Sequence, residues 1–236
     1  MTRPALTGPL AIVMPVLDEA ATLPELLATL QPLRRRGVQV VVADGGSTDG
    51  TPDIARSGAD LVLAAPRGRA VQMNAGAAAC ATQALLFLHA DTRLPGNADL
   101  LIARALQGGA LWGRFDVQLD SPRPVLRIVG WAMNGRSRLT GIATGDQAVF
   151  VRREVFDAVG GFPAQPLMED IALSSRLKRQ GAPACLRQTV RTSARRWERH
   201  GVWRTIVLMW RLRAAYWLGV DPARLAVMYG YKSPPG

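Results

Sequence analysis

Carboxylates gather where apolar segments end. Asp18 and Glu19 follow the run Leu10 to Val16, Asp44 follows Val38 to Ala43, and Asp91 comes shortly after Leu85 to Leu88. In an open parallel sheet the groups that act on ligands sit just beyond the carboxyl ends of the strands. Carboxylates clustered there can hold a divalent cation, the base and ribose of a nucleotide, or both. One such acid more simply caps the helix that follows it; three such positions in one small sheet favour the chemical reading. A further pair, Glu169-Asp170, opens a helix-patterned stretch that ends near Gln180, where the helix dipole also favours acids in the first turn. Arg67-Gly68-Arg69 leads into another helical stretch containing Gln72 and Asn74. Two guanidinium groups at a helix N-terminus suit a pyrophosphate, and a solvated loop is the plain alternative.

These groups need a scaffold, and the first half of the chain alternates strand-like and helix-like segments at the spacing of βαβ units. Strands are expected at Leu10 to Val16, Val38 to Ala43, Leu61 to Ala64 and Leu85 to Leu88, with helices at Ala20 to Arg35, Thr51 to Ser57 and Ala70 to Ala81. That order predicts an α/β fold, a mostly parallel sheet with helices on both faces. The second half is less regular. Gly113 to Leu119 and Ala148 to Val151 read as strands, Val125 to Arg138 and Asp170 to Gln180 as helices, and Gly160-Gly161-Phe162-Pro163 as a turn.

Composition narrows the class. With 236 residues, 48% of them hydrophobic and 20% charged, the chain is neither disordered nor collagen-like, and suits one α/β domain with a short appendage. Cys80 and Cys185 cannot build a disulfide framework or a four-ligand zinc site, which fits a reducing cytoplasm. The first apolar run leads into Asp18 and Glu19 rather than a cleavage site, so no secretory signal is expected. The longest uncharged run, Ala70 to Ala90, carries too many polar residues to span a bilayer. Charge is divided unevenly: net −1 over residues 1–100 and +12 over residues 101–236. The basic half calls for an anionic partner.

The residues also resemble a known family. Pro15-Val16-Leu17-Asp18-Glu19-Ala20, Asp44-Gly45-Gly46-Ser47-Thr48-Asp49-Gly50-Thr51, Phe87-Leu88-His89-Ala90-Asp91-Thr92 and Met168-Glu169-Asp170-Ile171-Ala172-Leu173 resemble, in order, four signatures of glycosyltransferase family 2. More closely, the chain looks like the bacterial transferase group associated with radical-SAM and selenodomain proteins. The resemblance implies a GT-A fold, a nucleotide-diphosphate sugar donor, a divalent cation (Mn²⁺ or Mg²⁺) and inversion at the anomeric carbon. It implies a catalytic domain over residues 1–190, with a donor half to about residue 100 and an acceptor half from about 101 to 190. Asp44 then contacts the nucleobase, with Glu19 and Pro15 lining the same pocket and Arg67, Arg69 and Asn74 near the donor. Where many members have Asp-x-Asp, this chain has His89-Ala90-Asp91. Asp91 inherits the metal position, and His89 is expected at the ribose or the metal. Asp170 matches the catalytic base. Gly145, Asp146, Gln147 and Glu169 fall on the acceptor side, as do Arg196 and Trp197, although Ser193 stands where processive members carry glutamine. Processivity is not expected.

Residues 191–236 form a basic amphipathic extension. Between Arg187 and Arg213 eight arginines face one acid, Glu198, among interleaved apolar and aromatic residues. Such a helix suits an anionic lipid surface, with tryptophans at headgroup depth; packing on its own domain or on a second subunit in a homodimer is the alternative. No nucleic-acid motif accompanies the arginines. The expected activity is transfer of a sugar to a hydroxyl or phosphate on a small or lipid-linked acceptor. The expected location is the cytoplasm, extending to the inner face of the cell membrane. A sugar-phosphate nucleotidyltransferase would instead carry a glycine-rich basic loop after strand one, which Pro15 to Ala20 lacks. An inactive membrane-bound nucleotide-binding scaffold is the other rival, opposed by Asp91 and Asp170.

Overall fold

Side chains of the first strand alternate between two cores. Along β1 (Leu10–Val16), Leu10, Ile12, Met14 and Val16 join one buried cluster, and Ala11 and Val13 join the other. β4 (Ala84–Phe87) divides in the same way, Leu86 to one side and Leu85 and Phe87 to the other. This is the two-residue period of strands covered on both faces. The computed structural model describes residues 9–231; the first eight residues of the expected catalytic domain and the last five of the extension lie outside the described residues.

The first face is covered by α1 (Leu23–Arg35), α2 (Thr51–Gly58) and α4 (Ala98–Gln107). The second is covered by α3 (Arg69–Ala78), α6 (Arg153–Ala158) and α7 (Glu169–Gln180). Gly76 lets α3 approach closely, because a Cβ there would lie 2.5 Å from Cγ1 of Val13. The remaining strands are β2 (Gln39–Asp44), β3 (Leu61–Ala64), β5 (Thr92–Arg93), β6 (Trp112–Asp120), β7 (Phe150–Arg152) and β8 (Ala184–Ser193). The sheet order is β3-β2-β1-β4-β7-β6-β8-β5. β3, β2, β1 and β4 run parallel, as do β6 and β8, while β7 is antiparallel to both its neighbours and β5 to β8. The α/β, mostly parallel expectation is met.

Boundaries shift for local reasons. α1 starts at Leu23 rather than Ala20, because the Glu19 carbonyl first closes a turn onto the amides of Thr22 and Leu23, and Pro24 then suits the first helical turn. β7 starts at Phe150 rather than Ala148, whose φ of 48° belongs to the end of a short 3-10 turn, Gly145–Gln147. α5 (Pro124–Thr140) agrees with the expected helix.

β8 crosses residue 190, so the sheet runs three residues into the expected extension. The extension is three helices: α8 (Arg195–His200), α9 (Val202–Trp217) and α10 (Pro222–Tyr229). Leu212, Leu225 and Ala226 are buried against Leu167 and Met168, immediately before α7. Among the described residues no helix is long and apolar enough to cross a membrane.

Candidate active site

The loops after β1 and β2 are knitted together by their own side chains. Asp18 accepts from the Thr48 amide at 2.8 Å, Asp49 accepts from the amides of Ala20 and Thr51, and the Thr51 hydroxyl accepts from the Glu19 amide. Asp44 is buried, and its carboxylate accepts from the amides of Gly46 (3.0 Å) and Ser47 (3.1 Å) and from the Ser47 hydroxyl. Pro15 lies one pair before the Val16–Asp44 pairing of β1 and β2. The Glu19 carboxylate accepts from the Thr22 hydroxyl at 2.7 Å. Pro15, Glu19 and Asp44 therefore meet at one sheet edge.

Two expected donor residues serve this edge from beneath. Gln72 is buried and donates to the carbonyls of Val16 and Ala43, each at 2.8 Å, tying β1 to β2. Asn74 spends both ends of its amide on the Gly160 to Pro163 turn, donating to the Phe162 carbonyl and accepting from its amide. Arg67 is exposed. Arg69 turns the other way, lying 3.5 Å from Glu169 and hydrogen-bonded to the Tyr231 hydroxyl. Burial disfavours its charge, but Glu169 and the two nearby tyrosines more than offset this and raise its pKa.

Beyond the end of β4, His89 reaches the 3-10 turn, whereas Asp91 lines a hollow with Thr22, Glu25, Arg93 and Asp120. The His89 ring packs on Gly145, where a Cβ would stand 2.3 Å from the imidazole, and its Nδ1 lies 3.6 Å from Asp146. Burial pushes the Asp146 carboxyl up, yet His89, with Arg69 and Arg213 further off, holds it below the usual range. The Gly145 amide donates to Asp170 at 2.8 Å, and the Ile171 amide donates to its other oxygen at 2.7 Å. Glu169 beside it is buried. Burial, then the Asp170 charge, push its carboxyl up against the pull of Arg69. Strand four, the 3-10 turn, α3 and the start of α7 thus converge through His89–Asp146, Gly145–Asp170 and Arg69–Glu169.

Among the described residues no group of three or more His, Cys, Asp or Glu side chains is placed to hold a metal. Asp91 offers one carboxylate, with the Thr92 hydroxyl 3.3 Å from one of its oxygens. That donor set fits Mg²⁺ or Mn²⁺ arriving with a diphosphate, since such ions accept one or two carboxylates and fill the shell with phosphate oxygens and water.

Other expected acceptor-side residues make contacts within the protein. Gln147 is fully buried, accepting from the Thr144 amide and donating to Asn134. Trp197 packs beside Leu119, Leu126 and Val129. Arg196 stacks 3.6 Å over the Tyr229 ring and donates to its carbonyl, tethering α10. Sequence reasoning missed Tyr229, Tyr231, Arg136 and Arg213, which border the site. Tyr229 and Tyr231 had no signal, since the fold of α10 back over Met168 is a tertiary event.

The family model for glycosyl transferase family 2 matches residues 11–159, a span that holds the Asp44, His89, Asp91 and Gly145 positions and stops short of Asp170. The succinoglycan biosynthesis protein ExoA of Rhizobium meliloti (strain 1021) is 30% identical, over 72% of this chain and 58% of its own length. The mannosyltransferase PcManGT from Pyrobaculum calidifontis, solved with GDP-Man and Mn²⁺, superposes with a TM-score of 0.65 over 99% of this chain and 70% of that one, at 21% identity. Staphylococcus aureus TarS 1-349, solved with UDP-GlcNAc, gives 0.65 over 79% of this chain and 58% of that one, at 16% identity. The chain thus spans little more than half the length of ExoA and of that TarS fragment. Likeness at such low identity to the two solved structures establishes the GT-A fold. With motif order, family model and relative in agreement, the chain belongs to glycosyl transferase family 2.

Proposed function

We propose that the protein is an inverting glycosyltransferase that moves a sugar from a nucleotide-diphosphate donor to a hydroxyl or phosphate oxygen. The observation that carries this reading is the seat of Asp170, fixed by the Gly145 and Ile171 amides, with Gly145 packed against His89 just past the end of β4. Asp170 takes the proton of an acceptor hydroxyl as the acceptor oxygen bonds to the anomeric carbon, and the bond from that carbon to the diphosphate breaks on the opposite face. A single displacement of this kind inverts configuration. The nucleobase and ribose lie against Pro15, Glu19 and Asp44, and the diphosphate faces Arg67 and the N-terminus of α3. Asp91 would hold a divalent cation, which when bound neutralises charge on the departing diphosphate.

Nucleotide sugars bound by PcManGT and TarS support the donor class, and the Mn²⁺ of PcManGT supports the cation. Asp170→Asn is expected to retain donor binding while transfer falls about 10²–10⁴-fold, the usual cost of losing a general base. Calorimetry with a nucleotide sugar and product assay with an identified acceptor check this. Near wild-type turnover would place the base elsewhere.

We propose further that transfer occurs at an anionic membrane surface. Trp203, Val207, Trp210, Ala214 and Trp217 form one outward stripe on α9, with Arg204 and Arg211 beside it. Trp131 is 77% exposed on α5, next to Ile128 and Arg127. Aromatic side chains among arginines suit the headgroup layer.

A further inference from the structure

The chain satisfies most of its inward-facing arginines. Arg114 is paired with Asp116 and donates to the Asn134 carbonyl, leaving only its Nε without a partner, and Arg152, Arg153 and Arg176 each donate to two or more backbone carbonyls. Two arginines near Asp170 are exceptions. Arg136, half-buried near the end of α5, has one long hydrogen bond to the Ile142 carbonyl (3.4 Å), while its Nε and Nη2 are buried without a partner. Arg213, half-buried on α9, has no hydrogen bond or ion pair among the described residues.

Both are held at the site by packing. Leu212, beside Arg213, is buried against Leu167 and Met168, the two residues before Glu169-Asp170. The Ile142 carbonyl that meets Arg136 lies three residues before Gly145, which holds Asp170. The two cations repel each other. Burial first, then Arg213, push the Arg136 guanidinium down to about 10, with Asp170 pulling the other way. Burial likewise lowers Arg213 against the pull of Asp170 and Asp146. Leaving a buried charge without a counter-ion is destabilising. A pair kept this way beside a proposed base is suited to an anion that the ligand brings, and the planar fork of guanidinium matches phosphate oxygens in particular.

We propose that Arg136 and Arg213 form a phosphate-binding subsite next to Asp170, resting on the reading of Asp170 as the base. The phosphate belongs either to the acceptor or to the donor's diphosphate, and the same experiment separates the two. The probe is inorganic phosphate, titrated into the full chain by calorimetry and by thermal shift, alone and with saturating UDP or GDP plus Mn²⁺. Wild type is expected to bind phosphate saturably. Arg136→Gln and Arg213→Gln should each weaken it about tenfold or more, as loss of a charge-assisted hydrogen bond implies. Arg213→Lys should recover part of the loss. In phosphate-free buffer the glutamine variants should melt at or above wild type, since an uncompensated cation has been removed.

Persistence of phosphate binding to protein that has bound nucleotide and Mn²⁺ assigns the subsite to the acceptor. Competition with nucleotide, together with weaker nucleotide binding in the variants, assigns it to the donor. Absence of any nucleotide response leaves the phosphate arm intact and counts against the donor reading alone. The subsite is overturned if phosphate does not bind, if it binds wild type and both glutamine variants equally, or if the variants melt well below wild type without phosphate. That last result would show that the guanidinium groups are already satisfied structurally.

Discussion

Glu169 and Asp170 are adjacent in sequence and differ in surroundings. Asp170 receives two backbone amides at the site edge, whereas Glu169 is buried against Arg69, and its carboxyl is pushed up by burial and by the Asp170 charge. Its folded state therefore holds a proton at higher pH than the unfolded chain does. The stability this lends is fully present below the ordinary value of 4.5 and is lost as pH rises through the raised one. Wild type should lose melting temperature relative to Glu169→Gln as pH rises from 4.5; a difference that stays constant with pH would contradict the assignment. At this scale the sequence marks positions where chemistry has a motif, as at Asp44, Asp91 and Asp170, whose roles are the ones proposed above. Sequence alone does not separate an amide that serves a ligand from one that serves the protein's own groups, and Gln72, Asn74 and Gln147 each tie neighbouring segments together in the structure. Arg136 and Arg213 carry no signal among 27 arginines, because what distinguishes them is the lack of a partner.

Two glycines on helices of different surroundings separate packing from propensity. Gly76 of α3 faces Val13 in the sheet, where a Cβ would sit 2.5 Å from Cγ1, whereas Gly135 of α5 has nothing within 4 Å of that position. Gly76→Ala should destabilise by about 1–2 kcal/mol, overpacking outweighing the gain in helix propensity. Gly135→Ala should stabilise by up to about 1 kcal/mol. Denaturant melts of both variants test this, and equal effects at the two positions would contradict the packing of α3. The βαβ half was readable because β1, β2 and β4 are apolar runs buried on both faces. β8 was not, since Ala184–Ser193 alternates weakly and leaves Arg187, Gln188 and Thr189 exposed. α4 has Ala98, Leu101, Ile102 and Ala105 at helical spacing, a signal present in the sequence that the strand-end reading passes over.

At the scale of the whole molecule, the extension has two apolar sides. Its inner side, with Leu212 and Leu225, roofs the start of α7, and its outer side leaves Trp203 74%, Trp210 70% and Trp217 86% exposed. Internal packing and surface attachment are thus compatible. Attraction worth roughly 1 kcal/mol per arginine near an anionic surface must weaken with salt. Flotation with anionic vesicles at low salt, reduced at high salt and absent with zwitterionic vesicles, is the expected result; failure to float with any vesicle would make the tryptophan face a protein contact. Beneath both questions lies the claim that the strand ends hold a nucleotide-diphosphate sugar with a cation at Asp91. Calorimetry of UDP- and GDP-sugars, with and without Mn²⁺, on wild type and Asp91→Ala measures it directly. Cation-dependent binding of at least one donor by wild type, with that dependence lost in a variant that melts like wild type, is predicted. Binding with unchanged cation dependence in the variant, or binding of no nucleotide sugar by wild type under either condition, would contradict the account.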